Sequence, residues 1–164
     1  MVDDVCPTTL YDDTGFIDVE INWHHFSRYE DLTESFIDKH KELVHWVAIT
    51  QRQDMSESFM SRHIRRLDKT YLVFNRELSE SFIDQHQDLL SWTLISTKQT
   101  LSESFMEKHE DKIDWLMVSS HQTLSESFMD KYQDILIWTS LFRNQTMSIG
   151  FINKHRGKIQ EGPS

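Results

Sequence analysis

The chain has 164 residues, carries a formal charge of −10 with nine histidines, and contains one cysteine, Cys6. That length fits one ordinary domain. The acidity argues against binding a phosphate backbone, which needs clustered Lys and Arg. One cysteine excludes an intrachain disulfide or a Cys-rich metal site.

The N-terminus, Met1-Val-Asp-Asp-Val-Cys-Pro7, lacks the basic and apolar regions of a signal peptide. No apolar run approaches the ~20 residues of a membrane span, so a soluble, cytoplasmic protein is expected. Residues 1–31 read as an atypical entry cap. Ile21, Trp23 and Phe26 keep the spacing of Ile113, Trp115 and Val118, whereas Phe16-Ile17 stands off the register of Phe36-Ile37. Terminal repeats of a stack deviate because they shield an open apolar end.

From Leu32 a 23-residue phrase recurs without a slip, starting at Leu32, Met55, Leu78, Leu101, Leu124 and, partially, Met147. Short tandem repeats imply a stack in which each copy packs only on its neighbours. Numbering within a copy runs from that first Leu or Met. Position 2 is always a hydroxyl (Thr33, Ser56, Ser79, Ser102, Ser125, Ser148), the pattern of a helix N-cap. Glu at position 3 then favours the positive end of the helix dipole. The apolar residues at positions 1 and 6, such as Leu101 and Met106, have the spacing of a hydrophobic staple.

Acidic position 11 (Glu42, Asp88, Asp111, Asp134) predicts the start of a second helix carrying positions 13, 15 and 18. Trp46, Trp92, Trp115 and Trp138 at position 15 are expected in the core. Position 22 is Gln53, Gln99, Gln122 and Gln145, near the link to the next copy. The predicted fold is all-α: an α-solenoid of short helix pairs, with about six 23-residue copies behind the cap. Its alternative replaces one helix of each copy by a 3₁₀ or extended segment, since ~8–10 residues is short for a helix. Residues 32–155 are the repeat domain and 156–164 a flexible tail.

The pattern Leu-Ser-Glu-x-Phe-Ile/Met, then Asp-x-Ile/Leu-x-Trp-x-x-Ile-Ser-x-x-Gln, covers about residues 16–155. It resembles the short tandem repeats in uncharacterised proteins of large DNA viruses and bacteriophages. The resemblance implies a viral origin and an interaction role.

Several registers are candidates for function. Position 9 forms a histidine column (His40, His63, His86, His109, then Tyr132, then His155). Packed, hydrogen-bonding histidines are expected rather than metal ligands. Zinc requires ligand nitrogens within ~2.1 Å of one ion, whereas stacked helices lie ~8–10 Å apart. Positions 3 and 7 make an acidic ridge: Glu34, Asp38, Glu80, Asp84, Glu103, Glu107, Glu126 and Asp130. It reads either as a solvated face of capping carboxylates or as a surface for a basic partner.

Copy 55–77 departs most from the pattern, with Lys69 in the Trp register and Arg62, Arg65, Arg66, Lys69 and Arg76 against three acids. Tyr71-Leu-Val-Phe74 follows with strand-like propensity. This basic and aromatic stretch reads as a partner-binding patch, with drift or a bend in the stack as the bland alternative. No catalytic constellation, metal site or cofactor motif is found, so an enzyme is not expected. The expected role is a repeat scaffold, viral or from a phage, that sequesters or inhibits a host defence or nucleic-acid-handling protein. The alternative is a structural protein that associates with itself end to end.

Overall fold

Each position-2 hydroxyl begins a helix. Ser102 Oγ accepts the backbone N–H of Phe105 at 3.2 Å, and Thr33, Ser56, Ser79, Ser125 and Ser148 do the same for the phenylalanine three residues on. The computed structural model describes residues 9–12, 15–18 and 22–160. Its elements in chain order are β1 (Thr9–Asp12), β2 (Gly15–Asp18), α1 (Trp23–Tyr29), α2 (Glu34–Lys39), α3 (Trp46–Arg52), α4 (Glu57–His63), α5 (Lys69–Asn75), α6 (Glu80–Gln85), α7 (Trp92–Lys98), α8 (Glu103–Lys108), α9 (Trp115–His121), α10 (Glu126–Lys131), α11 (Trp138–Asn144), α12 (Ile149–Lys154) and α13 (Arg156–Gln160). The repeat region is a solenoid of short helix pairs, as the register predicts.

The second helix begins at position 15, not at position 11. The carbonyl of His109 accepts the amides of Lys112 and Ile113, closing a turn over positions 9 to 13. The side chain at position 14 then caps the next helix: Asp114 accepts Met117 N–H, Ser91 accepts Leu94 N–H, and His45 accepts Ala48 N–H. Glu42, Asp88, Asp111 and Asp134 therefore lie in the turn. Position 13 is buried there rather than on the helix: Val44, Leu67, Leu90, Ile113 and Leu136 are all under a tenth exposed. Tyr71 to Phe74, strand-like by propensity, is helical within α5. Leu72 occupies the fully buried register of Ile49 and Ile95, and Asp68 caps Tyr71 N–H at 3.0 Å. Stack context overrides intrinsic preference here.

The chain divides into two compact units, residues 1–72 and 73–164, with the boundary inside α5. In the first, β1 and β2 form an antiparallel hairpin with Asp12 opposite Gly15. The irregular half of the entry cap is thus a pair of strands, an addition to the all-helical expectation. Ile37, Val44, Ile49 and Phe59 form the core of this unit, with Trp23, Leu32, Trp46 and Met55 packed against it.

In the second unit the later helices of successive copies stack, α7 on α9 and α9 on α11. Ile83, Ile95, Met106, Val118, Met129 and Leu141 are fully buried between the rows. Residues 156–160 form α13, which packs on α11 instead of making part of a flexible tail. Residues 161–164 lie outside those described, as do Cys6 and Ile21.

Candidate functional site

The seams between copies absorb most of the residues that looked functional. The tryptophans are half-buried rather than core, except Trp138 at 7% exposure. Each lies over the position-5 phenylalanine and position-9 ring of the following copy. Trp92 stacks on Phe105 at 6.3 Å and lies tilted against His109 at 4.9 Å; Trp115 meets Phe128 and Tyr132, and Trp138 meets Phe151 and His155. In the first unit Trp23 and Trp46 treat Phe36 and Phe59 the same way. Every indole N–H in positions 46, 92, 115 and 138 donates to the carbonyl five residues earlier.

The histidine column is a packing column that borders the position-7 acids. His63, His109 and His155 each place Nε2 against the position-7 aspartate of the preceding copy: Asp38, Asp84 and Asp130. Tyr132 instead donates its hydroxyl to Glu110 at 3.1 Å. His109 Nε2 lies 3.1 Å from Asp84 without the geometry of a hydrogen bond, and His40 Nε2 is buried without a hydrogen-bond partner. Its copy is preceded by Gly15 at position 7, which offers no carboxylate. Burial pushes the His86 pKa down.

The acidic ridge is spent on the same seams. The position-3 glutamates accept the position-2 amide of the next copy: Glu34 from Ser56, Glu80 from Ser102 and Glu103 from Ser125, each at 2.6 Å, and Glu126 from Ser148. The position-7 acids pair forward with cations. Arg62 meets Asp38 at 3.1 Å, Lys108 meets Asp84 at 2.8 Å, Lys131 meets Glu107 at 2.9 Å, and Lys154 meets Asp130 at 2.6 Å. The His63 hydrogen bond, then Arg62, lowers the Asp38 pKa. Lys108 and His109 lower that of Asp84, and Lys154 and His155 that of Asp130. Glu107 holds the Lys131 pKa up.

The basic patch of copy 55–77 is partly consumed in this way. Besides the Arg62 pair, Arg66 forms a bidentate bridge to Glu42 at 2.7 and 3.2 Å and lies over the Trp46 ring at 5.6 Å. The Arg66 hydrogen bond lowers the Glu42 pKa. Arg65 is exposed, and its carbonyl accepts Lys69 Nζ. Tyr71 is half-buried. Arg76 falls in the second unit, where its carbonyl accepts Gln99 Nε2 at 2.8 Å.

Two registers were missed by sequence reasoning. The position-22 glutamines are buried clamps. Gln122 Oε1 accepts Leu101 N–H at 3.0 Å, while its Nε2 donates to the carbonyls of Ser96 and Gln99 at 2.8 and 2.7 Å. Gln53 and Gln99 repeat this three-bond pattern. At position 19, fully buried Ser27, Thr50, Ser96 and Ser119 accept the position-14 amide of the next copy. The glutamine's fixed register was the available signal; a recurring polar residue at a copy junction marks a backbone partner.

The seams leave some apolar side chains exposed. Exposed aliphatics recur at positions 12 and 16: Leu43 and Val47 in the first unit, Leu89, Leu116 and Ile135 in the second, between 43 and 52% exposed. Among the described residues no cluster of three or more His, Cys, Asp or Glu could hold a metal. No described helix is long and apolar enough to cross a membrane. Comparisons with protein-family models, curated proteins and solved structures return no match.

Proposed function

We propose that the chain is a non-enzymatic repeat scaffold that binds another protein through the exposed aliphatic side chains at positions 12 and 16. The carrying observation is the recurrence of exposed aliphatic side chains at those two registers, while the seams consume the charged ridge and much of the basic patch. Exposed apolar groups of this kind on a water-facing surface suit a protein contact.

The resemblance to viral repeats supports a host protein as the partner, met in the host cytoplasm and sequestered or inhibited there. The charge of −10 supports a basic one, such as a defence or nucleic-acid-handling protein. End-to-end self-association has weaker support. The last copy carries Ile149 and Asn153 at positions 3 and 7, so a following copy's amide and lysine would meet no carboxylate.

Affinity capture from nuclease-treated host lysate, with the wild type and an L89N/L116N/I135N variant, tests the reading. The expected result is a partner held by the wild type and lost by a variant of unchanged circular dichroism. A partner held equally by both, or no partner, overturns it.

A further inference from the structure

We infer that Arg62, Arg65 and Arg66 of copy 55–77 hold a phosphate monoester, at a site separate from the exposed aliphatics and independent of the scaffold reading. Three observations select that ligand: a hollow with no acid in its wall, a charge left uncompensated, and arginine at all three registers.

The end of α4 and the turn after it border a hollow of about 320 Å³. Arg62, Arg65 and Arg66 line it together with Ser61 and buried Ile64, and no carboxylate does. Two of the three cations are held in place by the preceding copy. Arg62 meets Asp38 at 3.1 Å and lies over the Phe59 ring of its own helix at 5.5 Å. Arg66 is fixed by Glu42 and by the Trp46 ring. That is two carboxylates for three guanidiniums. The side chain of Arg65 is exposed and has no hydrogen-bond or ion-pair partner among the described residues. Lys69 Nζ, on the Arg65 carbonyl at 3.2 Å, adds another positive charge to the turn. The neighbouring acid, Asp68, is engaged by the Tyr71 amide at 3.0 Å.

The other copies lack this surplus. At position 8 they carry Lys or Gln, at position 11 an acid or Gly157, and at position 12 an aliphatic or Lys. In the last copy the corresponding hollow, about 370 Å³, is lined by Lys154 and Lys158 with Gly157 in the Arg65 register. There Asp130 and Asp134 answer the two lysines one for one.

Arginine rather than lysine at positions 8, 11 and 12 matters because a planar guanidinium presents forked donors to an oxyanion. Arg62 spends one N–H on Asp38, and the Arg65 side chain spends none. Donors from three side chains outnumber the two oxygens of a carboxylate. A phosphate monoester offers three acceptor oxygens and roughly −1.5 to −2 of charge. The chain's charge of −10 disfavours a polyanion, whose further phosphates would meet the carboxylates of adjoining copies. One phosphate group is what the local surplus suits.

The test titrates the isotope-labelled full chain at fixed ionic strength and slightly alkaline pH, with backbone amide shifts read by NMR. The probes are inorganic phosphate, acetate, and a phosphoserine peptide of otherwise uncharged sequence beside its unphosphorylated form. Phosphate is expected to bind in the millimolar range, with shifts concentrated at residues 61–69 that acetate and the unphosphorylated peptide do not reproduce. Arg65→Ala should leave circular dichroism unchanged, since that side chain holds nothing in the fold, and weaken phosphate binding about ten-fold. Arg65→Lys should recover only part of the loss. Arg143→Ala, at an exposed arginine of another copy, should change nothing.

Tighter binding of the phosphopeptide than of inorganic phosphate assigns a protein-borne phosphate, and equal binding assigns a free one; both uphold the site. Acetate matching phosphate, shifts that fall outside residues 61–69, binding unchanged in Arg65→Ala, or an equal loss in Arg143→Ala overturns it.

Discussion

Gln122 Nε2 donates to the carbonyl of Gln99 at 2.7 Å, joining the same register of two adjacent copies through one side chain. With its bonds to Ser96 and Leu101, the amide satisfies two carbonyls and one N–H in a buried seam. Gln122→Met keeps the volume and leaves all three without a partner. Each orphaned buried group costs ~1–3 kcal/mol, so a loss of about 3 kcal/mol is expected in urea unfolding. A loss under about 0.5 kcal/mol, the scale of a neutral surface change, would remove the clamp from the account of stability.

The position-3 carboxylate binds the next copy rather than only its own helix end. Glu103 accepts both the amide and the hydroxyl of Ser125, at 2.6 and 3.0 Å. Glu103→Ala is expected to cost about 1 kcal/mol, within the range for a hydrogen bond to a charged group discounted for exposure. Hydrogen exchange reads where the loss falls. Faster exchange should begin at Ser125 and α10, in the copy after the substitution. Loosening confined to α8 would return Glu103 to a purely intrahelical role.

The tryptophan seam carries more. Trp115→Ala removes the stacking on Phe128 and the tilted contact with Tyr132, together with the indole bond to the Glu110 carbonyl. Large aromatic truncations cost ~3–5 kcal/mol when buried, and the half-buried site places the expected loss near the lower end, about 3 kcal/mol. Thermal unfolding followed by circular dichroism checks this figure.

Stability should fall in two stages on acidification. Burial lowers the His86 pKa from its ordinary 6.5, so the unfolded chain binds that proton more readily. Its contribution is full above pH 6.5 and declines as pH falls through the folded value. Asp38, Asp84 and Asp130 are held below the ordinary 3.8 by their cationic and histidine neighbours. Their contribution is present above 3.8 and is lost as pH drops through the folded values. Urea midpoints against pH should show the first decline flattened in His86→Phe and the second retained. An unchanged first decline in that variant would assign it to another group.

How much of this was legible depended on whether a residue's partner lay within its own copy. Ser102 and its equivalents were readable as caps because the N–H they accept lies three residues ahead in the same chain segment. Gln122 and Ser119 were not, because the groups they bond appear only once copies stack. The second helix was placed too early because Asp111 offers the acidic signature of a helix start. The true cap at position 14 varies in chemistry among His45, Ser91, Asp114 and Ile137. The basic stretch of copy 55–77 was conspicuous for its charge, yet Arg62 and Arg66 answer Asp38 and Glu42 about one copy back. The exposed aliphatics went unread since an isolated apolar residue carries no label for whether it faces water.

The carboxylate seams are also all written in one direction, with the acceptor in one copy and its amide, cation or histidine in the next, at separations of 22, 24 and 25 residues. Removing residues 101–123 would set Leu124 after Thr100, Ser125 before Glu80 and Gln145 before the Gln99 carbonyl, each donor meeting an acceptor of the type it left. A whole copy is therefore an exchangeable cassette, and the array can lengthen or shorten by recombination without any seam being redesigned. Loss of a single residue would instead put the seams of that one copy out of phase with its neighbours. The heritable quantity under such a rule is the number of copies, which sets how many seams the stack contains.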